Sequence, residues 1–236
     1  MKKLLVAFDF DDTLIDANSD LYILKLVPKS KEIPESISKL YSKSNWTQYM
    51  GAVFRFLHEN GVQRESILGC VEEIGLVPGM RELLAFVATN NCDSVIISDC
   101  NSVFIEQLLR KYGLRNAIQS VYTNPASFDS SGCLQLQPFH NQDWCNLSTI
   151  NLCKGHILDM HISEQKKLGI SYETIAYVGD GSNDLCPTLR LKSKDLVFPR
   201  TGYRLLEKLN SAEQVDAKVK PWKTGFEIID ELQLLL

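Results

Sequence analysis

The chain has 236 residues, 44% of them hydrophobic, so it can bury a large core and still leave room for a small second domain. A formal net charge of −4, with lysine and arginine dispersed along the sequence, argues against the basic surface of a general nucleic-acid-binding protein. No apolar run reaches the roughly 18 to 20 residues that a membrane-spanning helix needs. We therefore expect a small-molecule partner, with neither nucleic acid nor membrane involved.

The first element is an apolar run, Leu4 to Phe8, which follows two lysines and stops at Asp9. No small-residue cleavage site comes after it, so we interpret the run as a buried strand rather than as a signal peptide. The seven cysteines are odd in number and scattered, unlike the cysteines of a disulfide-stapled scaffold. These features favour a reducing compartment, and the expected location is cytoplasmic.

Residues 16–75 differ from the rest of the chain in their hydrophobic pattern, because helical stripes replace strand-like runs. One such stripe consists of Met50, Val53, Phe54 and Leu57. A turn-prone sequence at residues 77–79 then marks the return of strand-like patterns. We therefore predict a helical cap domain over residues 16–75, inserted into a core domain formed by residues 1–15 and 76–236.

The remainder of the chain alternates short β-rich runs with amphipathic helical stripes. Runs at Val95 to Ile97 and Ile175 to Val178 are typical of strands buried on both faces of a parallel sheet. Helical stripes span Met80 to Val87 and Ile105 to Tyr112, and Gly113 closes the second one. The alternation predicts an α/β fold: a Rossmann-like open parallel sheet with a small all-helical cap inserted after the first strand.

Two further segments have sequence patterns of their own. Residues 124–151 give the least clear pattern: residues 128–132 are turn-like, and residues 138–152 are irregular by pattern. Residues 226–236 combine an apolar stripe with acidic residues, which predicts a terminal helix that covers the core and lacks the basic face of a membrane-surface helix.

Two acidic motifs directly follow predicted strands. The first is Asp9-Phe10-Asp11-Asp12-Thr13, and the second is Gly179-Asp180-Gly181-Ser182-Asn183-Asp184. Open α/β folds bind ligands at the carboxyl ends of their strands, and two glycines flanking an aspartate suit a tight turn that presents a carboxylate to a cation. Taken singly, each motif also fits a solvated acidic loop.

Ser98 and Lys154 carry little information by themselves. Ser98 follows a predicted strand, where a hydroxyl is usually a helix cap, and Lys154 precedes a helical segment, where a lysine is usually a solvated surface charge. The informative observation is the order along the chain: an Asp pair, a serine after a later strand, a lysine, and a final Gly-Asp motif.

That order resembles the haloacid dehalogenase superfamily of phosphatases, whose DxDxT and GDxxND boxes are both present. The resemblance covers the α/β part of the chain, and residues 16–75 look like the helical cap that many such enzymes carry. It implies a phosphoric monoester hydrolase that uses Mg²⁺ and forms an aspartyl phosphate.

The resemblance also implies a role for individual residues. Asp9 matches the nucleophile, Asp11 the general acid and base, and Ser98 and Lys154 the groups that hold the transferring phosphoryl. The Asp9 carboxylate, the Asp11 backbone carbonyl and Asp180 match the ligands of Mg²⁺. Oxygen ligands of this kind favour Mg²⁺ over zinc.

The implied site needs both its negative and its positive groups. A phosphate dianion and the carboxylates of Asp9 and Asp180 would repel one another strongly in a water-poor cleft. Mg²⁺ and Lys154 together contribute a charge of about +3, which offsets that repulsion. The sequence leaves open whether Asp184 also binds the metal or lies behind its ligands.

Longer stretches resemble one branch of the superfamily, the phosphoethanolamine/phosphocholine and pyridoxal phosphate phosphatases. These stretches are DFDDTLIDANSD, VIISDCNSVFIEQLL and GDGSNDLCP. The sequence looks nearer to the pyridoxal phosphate phosphatase type, so pyridoxal 5′-phosphate is the expected substrate, with phosphoethanolamine or phosphocholine as the alternative.

Substrate contacts are implied at two further carboxylates. In this branch, residues matching Asp20 and Asp99 contact the substrate, which suits a cationic head group; without the resemblance, each is as readily a capping or surface residue. In the cap, Trp46 and Tyr49 are candidates for stacking against an aromatic substrate, whereas Phe54 is expected to pack in the core.

The cysteines depart from the branch. Its members carry a Cys-x-x-Cys-Pro sequence shortly before the motif lysine, whereas here Cys145 is followed at that spacing by Ser148 and Thr149. A structural zinc site is therefore not expected, and Cys145 and Cys153 are predicted to be buried or idle thiols.

Two competing functions stay open on the sequence alone. A phosphotransferase or phosphomutase would share the aspartyl phosphate but pass the group to a substrate hydroxyl instead of water. A non-catalytic binding module would usually have lost a catalytic carboxylate, whereas this chain keeps Asp9, Asp11, Lys154 and Asp180.

Overall fold

The structure is a computed structural model that describes residues 2–42, 45–212 and 214–236. Its strands are β1 (Lys2–Phe8), β2 (Asp93–Asn101), β3 (Ser120–Asn124), β4 (Ala126–Phe128), β5 (Leu134–Leu136), β6 (Tyr172–Gly179), β7 (Leu196–Pro199) and β8 (Lys218–Val219). Within the described residues, six of them form one parallel sheet in the order β3-β2-β1-β6-β7-β8. The predicted α/β class is confirmed.

Strand β1 lies at the centre of this sheet and is buried on both faces. Leu4, Val6 and Phe8 belong to the apolar cluster on one face, while Leu5 and Ala7 belong to the cluster on the other. Successive side chains of a strand point to opposite faces, so an unbroken apolar run is what a doubly covered strand requires.

The described residues form ten α-helices. They are α1 (Ser19–Tyr22), α2 (Glu35–Ser38), α3 (Trp46–Glu59), α4 (Arg64–Glu72), α5 (Met80–Thr89), α6 (Ser102–Tyr112), α7 (Lys154–Lys167), α8 (Leu185–Thr188), α9 (Arg204–Asn210) and α10 (Gly225–Gln233). The stripes predicted for α5 and α6 are confirmed, and Gly113 ends α6 in the left-handed conformation, with φ of 69°. The terminal helix is confirmed as α10, whose Ile228 and Leu232 are buried. Among the described helices, none has the length and apolar character needed to cross a membrane.

The two ends of the segment between β1 and α5 lie next to each other. Ile15 pairs with Leu76 in an isolated β-bridge, and the Asp16 amide donates to the Gly75 carbonyl at 2.9 Å. These contacts join the two ends of residues 16–75, as an insertion requires. The division into cap and core stays a prediction, because side chains of α3 share one apolar cluster with β1.

Phe54 shows how α3 joins that cluster. Its side chain is fully buried, and its ring lies 5.7 Å from the ring of Phe104 in an edge-to-face arrangement. The prediction that Phe54 packs in the core is confirmed.

Residues 124–151 contain regular structure that the sequence did not predict. Strands β4 and β5 form an antiparallel hairpin, and Gly132 in its turn has φ of 88°, a conformation that favours glycine. The hairpin packs against α3. Strands of three residues are too short to show a period, so the sequence did not predict them, whereas the turn-like residues 128–132 do lie at the turn of the hairpin.

Candidate active site

The acidic motifs and Ser98 meet at one edge of the sheet, because β2, β1 and β6 are neighbours. Asp9 follows β1, Asp180 follows β6, and Ser98 lies in β2. The predicted strand end before Ser98 was wrong, since β2 continues to Asn101 with an irregular register after Ile97. Ser98 is fully buried, and its hydroxyl oxygen accepts a hydrogen bond from a backbone amide at 3.2 Å.

Lys154 connects the two acidic motifs. It is the first residue of α7 and fully buried, and its Nζ lies 2.7 Å from Asp9 Oδ2 and 2.8 Å from Asp184 Oδ1. Burial alone would lower the pKa of Lys154, but the charges of Asp184 and Asp9 raise it above its ordinary value. The lysine is therefore a fixed cation beside the Asp9 carboxylate, whose Oδ1 accepts the Phe10 amide at 2.7 Å.

Asp184 organises the loop that carries Asp180. Its Oδ1 accepts hydrogen bonds from Lys154 Nζ and from Tyr177 Oη, the latter at 2.7 Å. Its Oδ2 accepts the backbone amides of Asp180 and Gly181 at 3.0 and 2.9 Å. Both oxygens of this buried carboxylate are thus occupied by donors, which suits a residue that supports metal ligands from behind.

Asp9, Asp180 and Asp184 each offer one carboxylate oxygen, and these three oxygens lie within 4.8 Å of one another. Burial and the nearby Asp184 raise the pKa of Asp9 to about 7, despite Lys154. Burial and Asp9 raise the pKa of Asp180 to about 9. One lysine therefore leaves negative charge uncompensated, and a hard divalent cation with oxygen ligands, such as Mg²⁺, fits the arrangement.

Asp11 lies apart from that ion pair. Its Oδ1 accepts the Ser19 amide at 3.1 Å, and the residue is 7% exposed. Burial, followed by the charge of Asp20, raises the pKa of Asp11 well above its ordinary value. A raised pKa favours the protonated form of the carboxyl group, which is the form that a general acid needs.

The turn after Asp11 is held by a residue that sequence patterns did not reveal. Asp12 has a left-handed backbone, with φ of 52°. Arg200, which follows β7, donates from Nη1 to the Asp12 carbonyl at 2.7 Å and from Nη2 to Asp16 Oδ1 at 2.6 Å. A planar guanidinium reaches both acceptors at once, which fixes the turn between the catalytic motif and residues 16–75.

A cavity of about 560 Å³ opens beside these groups. Asp11, Asp20 and Asp99 contribute carboxylates to its lining, and Trp46 and Ser148 also line it. Asp99 is fixed in place by Asn183, whose Nδ2 donates to Asp99 Oδ2 at 3.0 Å. The two predicted substrate-contacting carboxylates therefore share one cavity with the predicted general acid.

Asp20 is a buried carboxylate for which the described residues supply a hydrogen-bond partner at only one of its two oxygens. Trp46 Nε1 donates to its Oδ2 at 2.7 Å, while its buried Oδ1 has no hydrogen-bond partner in the described part of the chain. Burial raises the pKa of Asp20 to about 7. Trp46 also lies 5.6 Å, between ring centroids, from both Tyr41 and Tyr49, so the cavity joins a carboxylate to an aromatic group.

Comparisons with known proteins identify the family of the chain. Residues 4–236 match the model of the family described as "Putative Phosphatase". The chain is 40% identical to a pyridoxal phosphate phosphatase of Bos taurus over 99% of both chains. It is 36% identical to a human phosphoethanolamine/phosphocholine phosphatase, covering 99% of this chain and 90% of the relative. A solved phosphoserine phosphatase, an analogue of the phospho-aspartyl intermediate, has 18% identity and a TM-score of 0.62, with 98% of this chain and 99% of that chain covered.

The family match and the named relatives define a phosphatase, and its fold is the one found in haloacid dehalogenase-like hydrolases. More particularly, the chain belongs to the Putative Phosphatase family, and its sequence is nearer to the pyridoxal phosphate phosphatases than to the phosphoethanolamine/phosphocholine phosphatases. The predicted resemblance and the predicted enzyme class, a phosphoric monoester hydrolase, are confirmed.

Proposed function

We propose that this phosphatase hydrolyses pyridoxal 5′-phosphate, that it requires Mg²⁺, and that Asp9 carries the phosphoryl group as an aspartyl phosphate. The observation that carries the proposal is the pairing of a lysine-bound carboxylate, Asp9, with a second buried carboxyl, Asp11, whose pKa is raised. One group suits a nucleophile and the other suits a proton donor.

In the first step, an Asp9 oxygen attacks phosphorus and the bond between phosphorus and the ester oxygen breaks. Asp11 gives its proton to that oxygen, so the alcohol leaves neutral. Lys154 and Ser98 hold the phosphoryl oxygens during the transfer. When bound, Mg²⁺ would supply a Lewis acid held by Asp9, Asp180 and the Asp11 carbonyl, and its charge would keep Asp9 ionised.

In the second step, Asp11 is a carboxylate and acts as the base. It removes a proton from water, the water oxygen bonds to phosphorus, and the bond between Asp9 and phosphorus breaks. The products are inorganic phosphate and the enzyme in its starting protonation state. Transfer to water, rather than to a second alcohol, distinguishes this reaction from that of a phosphomutase.

Two features support pyridoxal 5′-phosphate. The chain is more similar to pyridoxal phosphate phosphatases than to the relative that is named for choline and ethanolamine esters. Trp46 lines the cavity with an aromatic side chain, and the carboxyl group of Asp20, whose pKa is raised to about 7, can share a proton with the nitrogen of a pyridine ring. A second candidate, phosphoethanolamine or phosphocholine, is favoured by the two carboxylates, Asp20 and Asp99, because anionic groups attract a cationic head group.

The first experiment measures inorganic phosphate released from pyridoxal 5′-phosphate, phosphoethanolamine, phosphocholine, phosphoserine and pyrophosphate, each with Mg²⁺ and with chelator. We expect Mg²⁺-dependent release, with the largest kcat/KM for pyridoxal 5′-phosphate. A larger kcat/KM for either amine ester would replace the proposed substrate, and release that persists in chelator would remove the proposed metal.

Asp20→Asn tests what the cavity recognises. An amide still offers hydrogen bonds to a pyridine ring, so kcat/KM for pyridoxal 5′-phosphate should fall by less than about fivefold. A cationic head group loses a charge partner, so kcat/KM for phosphocholine should fall by about tenfold or more. Equal losses for both substrates would show that Asp20 acts on the shared phosphate end or on the fold.

A further inference from the structure

Three thiols meet beside the phosphatase centre. Cys145 Sγ lies 3.4 Å from Cys186 Sγ, and Cys153 Sγ lies 3.7 Å from it. All three sulfur atoms lie within 4.8 Å of one another, and the proposed function uses none of them. Cys145 lies in the loop before α7, Cys153 directly precedes Lys154, and Cys186 lies in α8.

The sulfur spacing matches a tetrahedral thiolate site. Zinc bonds to cysteine sulfur at about 2.3 Å, so two sulfurs of one tetrahedron lie about 3.8 Å apart. We propose that Cys145, Cys153 and Cys186 bind one zinc ion, with an oxygen ligand in the fourth position. Among the contacts of these thiols, the Ser148 hydroxyl provides an oxygen 3.5 Å from Cys145 Sγ.

The loop that carries Cys145 is preorganised for this role. The side chain of Gln142, which is buried, donates to the carbonyls of Cys145, Ser148 and Thr149 at 3.1, 3.3 and 2.7 Å. Its Oε1 accepts the Cys145 amide at 2.8 Å. The side chain of one glutamine thus holds the loop in a fixed conformation, with Cys145 near the other two thiols. The loop therefore needs little further ordering when the ion binds.

Groups behind the thiols complete the arrangement. His140 Nε2 accepts the backbone amide of Cys153 at 2.9 Å, which fixes the start of α7. Gly155 allows Cys186 to approach, because a Cβ there would lie 2.6 Å from Cys186 Sγ. Three thiolates and one Zn²⁺ leave a net charge of about −1, and Arg190 Nη2, 4.0 Å from Cys153 Sγ, offers a compensating positive charge.

The proposed ion would be chemically distinct from Mg²⁺ at the carboxylates. Soft thiolate ligands select zinc, whereas hard carboxylate oxygens select Mg²⁺. The zinc would join the residue before Lys154, the helix after Asp184 and the loop that brings Ser148 to the cavity wall. It would replace the sequence-based expectation that these cysteines are idle, which considered Cys145 and Cys153 without Cys186.

Cobalt substitution tests the site directly. Full-length protein, reduced and stripped with chelator, is titrated with Co²⁺ in excess Mg²⁺, which occupies the carboxylates. We expect thiolate-to-cobalt charge-transfer absorption that saturates at about one equivalent, with Zn²⁺ displacing the cobalt. Cys145→Ser and Cys186→Ser should lose the absorption, and Cys133→Ser, a substitution of a buried thiol outside the cluster, should keep it.

A second measurement uses the wild-type protein alone, in case a variant does not fold. Timed alkylation with mass spectrometry follows each cysteine with and without zinc. At a zinc concentration about 100 times Kd, alkylation of Cys145 should slow by about 100-fold while that of Cys133 is unchanged. Folded wild-type protein that shows neither cobalt absorption nor zinc-dependent protection, or a Cys145–Cys186 disulfide under reducing conditions, would overturn the proposal. Phosphate release needs none of these readouts, so the two proposals fail separately.

Discussion

Asp9 is the residue on which the proposed chemistry depends most. Asp9→Asn keeps the size of the side chain but removes the nucleophilic oxygen, so turnover should fall by about 10³-fold or more. The fold should persist, because burial and Asp184 already disfavour the charged form of Asp9. Phosphate release and a thermal melt measure the two effects.

The matched control for this change is Asp230→Asn, an exposed aspartate on α10. It should leave both activity and Tm close to those of the wild type. Residual turnover in Asp9→Asn that equals the turnover of this control would remove Asp9 from the role of nucleophile. A large drop in Tm in Asp9→Asn would instead assign it a structural role.

At the scale of elements, β6 carries two tyrosines that each donate to an aspartate at 2.7 Å. Tyr177 donates to Asp184 near the site, and Tyr172 donates to Asp93 at the opposite end of the strand. Tyr177→Phe removes a hydrogen bond to a charged group, which should lower stability by about 1.5 to 3 kcal/mol and Tm by about 3 to 12 °C. It should also lower kcat, because Asp184 holds Lys154.

Tyr172→Phe is the control, since it removes the same kind of bond from the same strand. A comparable loss of Tm with unchanged kcat is expected for it. If both variants lose kcat equally, the effect of Tyr177 passes through the stability of β6 and not through Asp184 and Lys154. Steady-state kinetics well below both melting temperatures separates the two cases.

The elements also show what the sequence predicts well. Apolar runs and helical stripes located β1, β2, β6, α5 and α6, because doubly buried strands and amphipathic helices impose periods on nearby residues. The apolar runs placed Asp9 and Asp180 after strands, and the resemblance carried by the order of the motifs assigned them to one site. The sheet order then shows that the two strands are neighbours.

Partners distant in sequence leave no local period, and these were missed. Arg200 reaches the Asp16 side chain across 184 positions, and Cys186 meets Cys145 across 41. Neither pairing follows from the patterns around its members. The hydrogen bonds of Asp184 likewise depend on how close α7 and β6 approach one another, which sequence spacing does not define.

At the scale of the whole molecule, the buried carboxylates link stability to pH and to Mg²⁺. Without metal, the pKa is about 7 for Asp9 and about 9 for Asp180, both raised from 3.8 by burial and by neighbouring carboxylates. The folded state therefore binds protons more tightly than the unfolded state between about pH 4 and pH 9. Its stability should fall as pH rises through that range.

Mg²⁺ should reverse this loss, because the proposed metal site uses the charged forms of Asp9 and Asp180. The rise in Tm caused by saturating Mg²⁺ should therefore be larger at about pH 8.5 than at about pH 5.5. Asp180→Asn removes one charge from the cluster, so its metal-free protein should lose less stability over the same range and gain less from Mg²⁺. Melting curves at both pH values, with chelator and with Mg²⁺, measure this. A gain independent of pH would mean that Mg²⁺ binds away from these carboxylates.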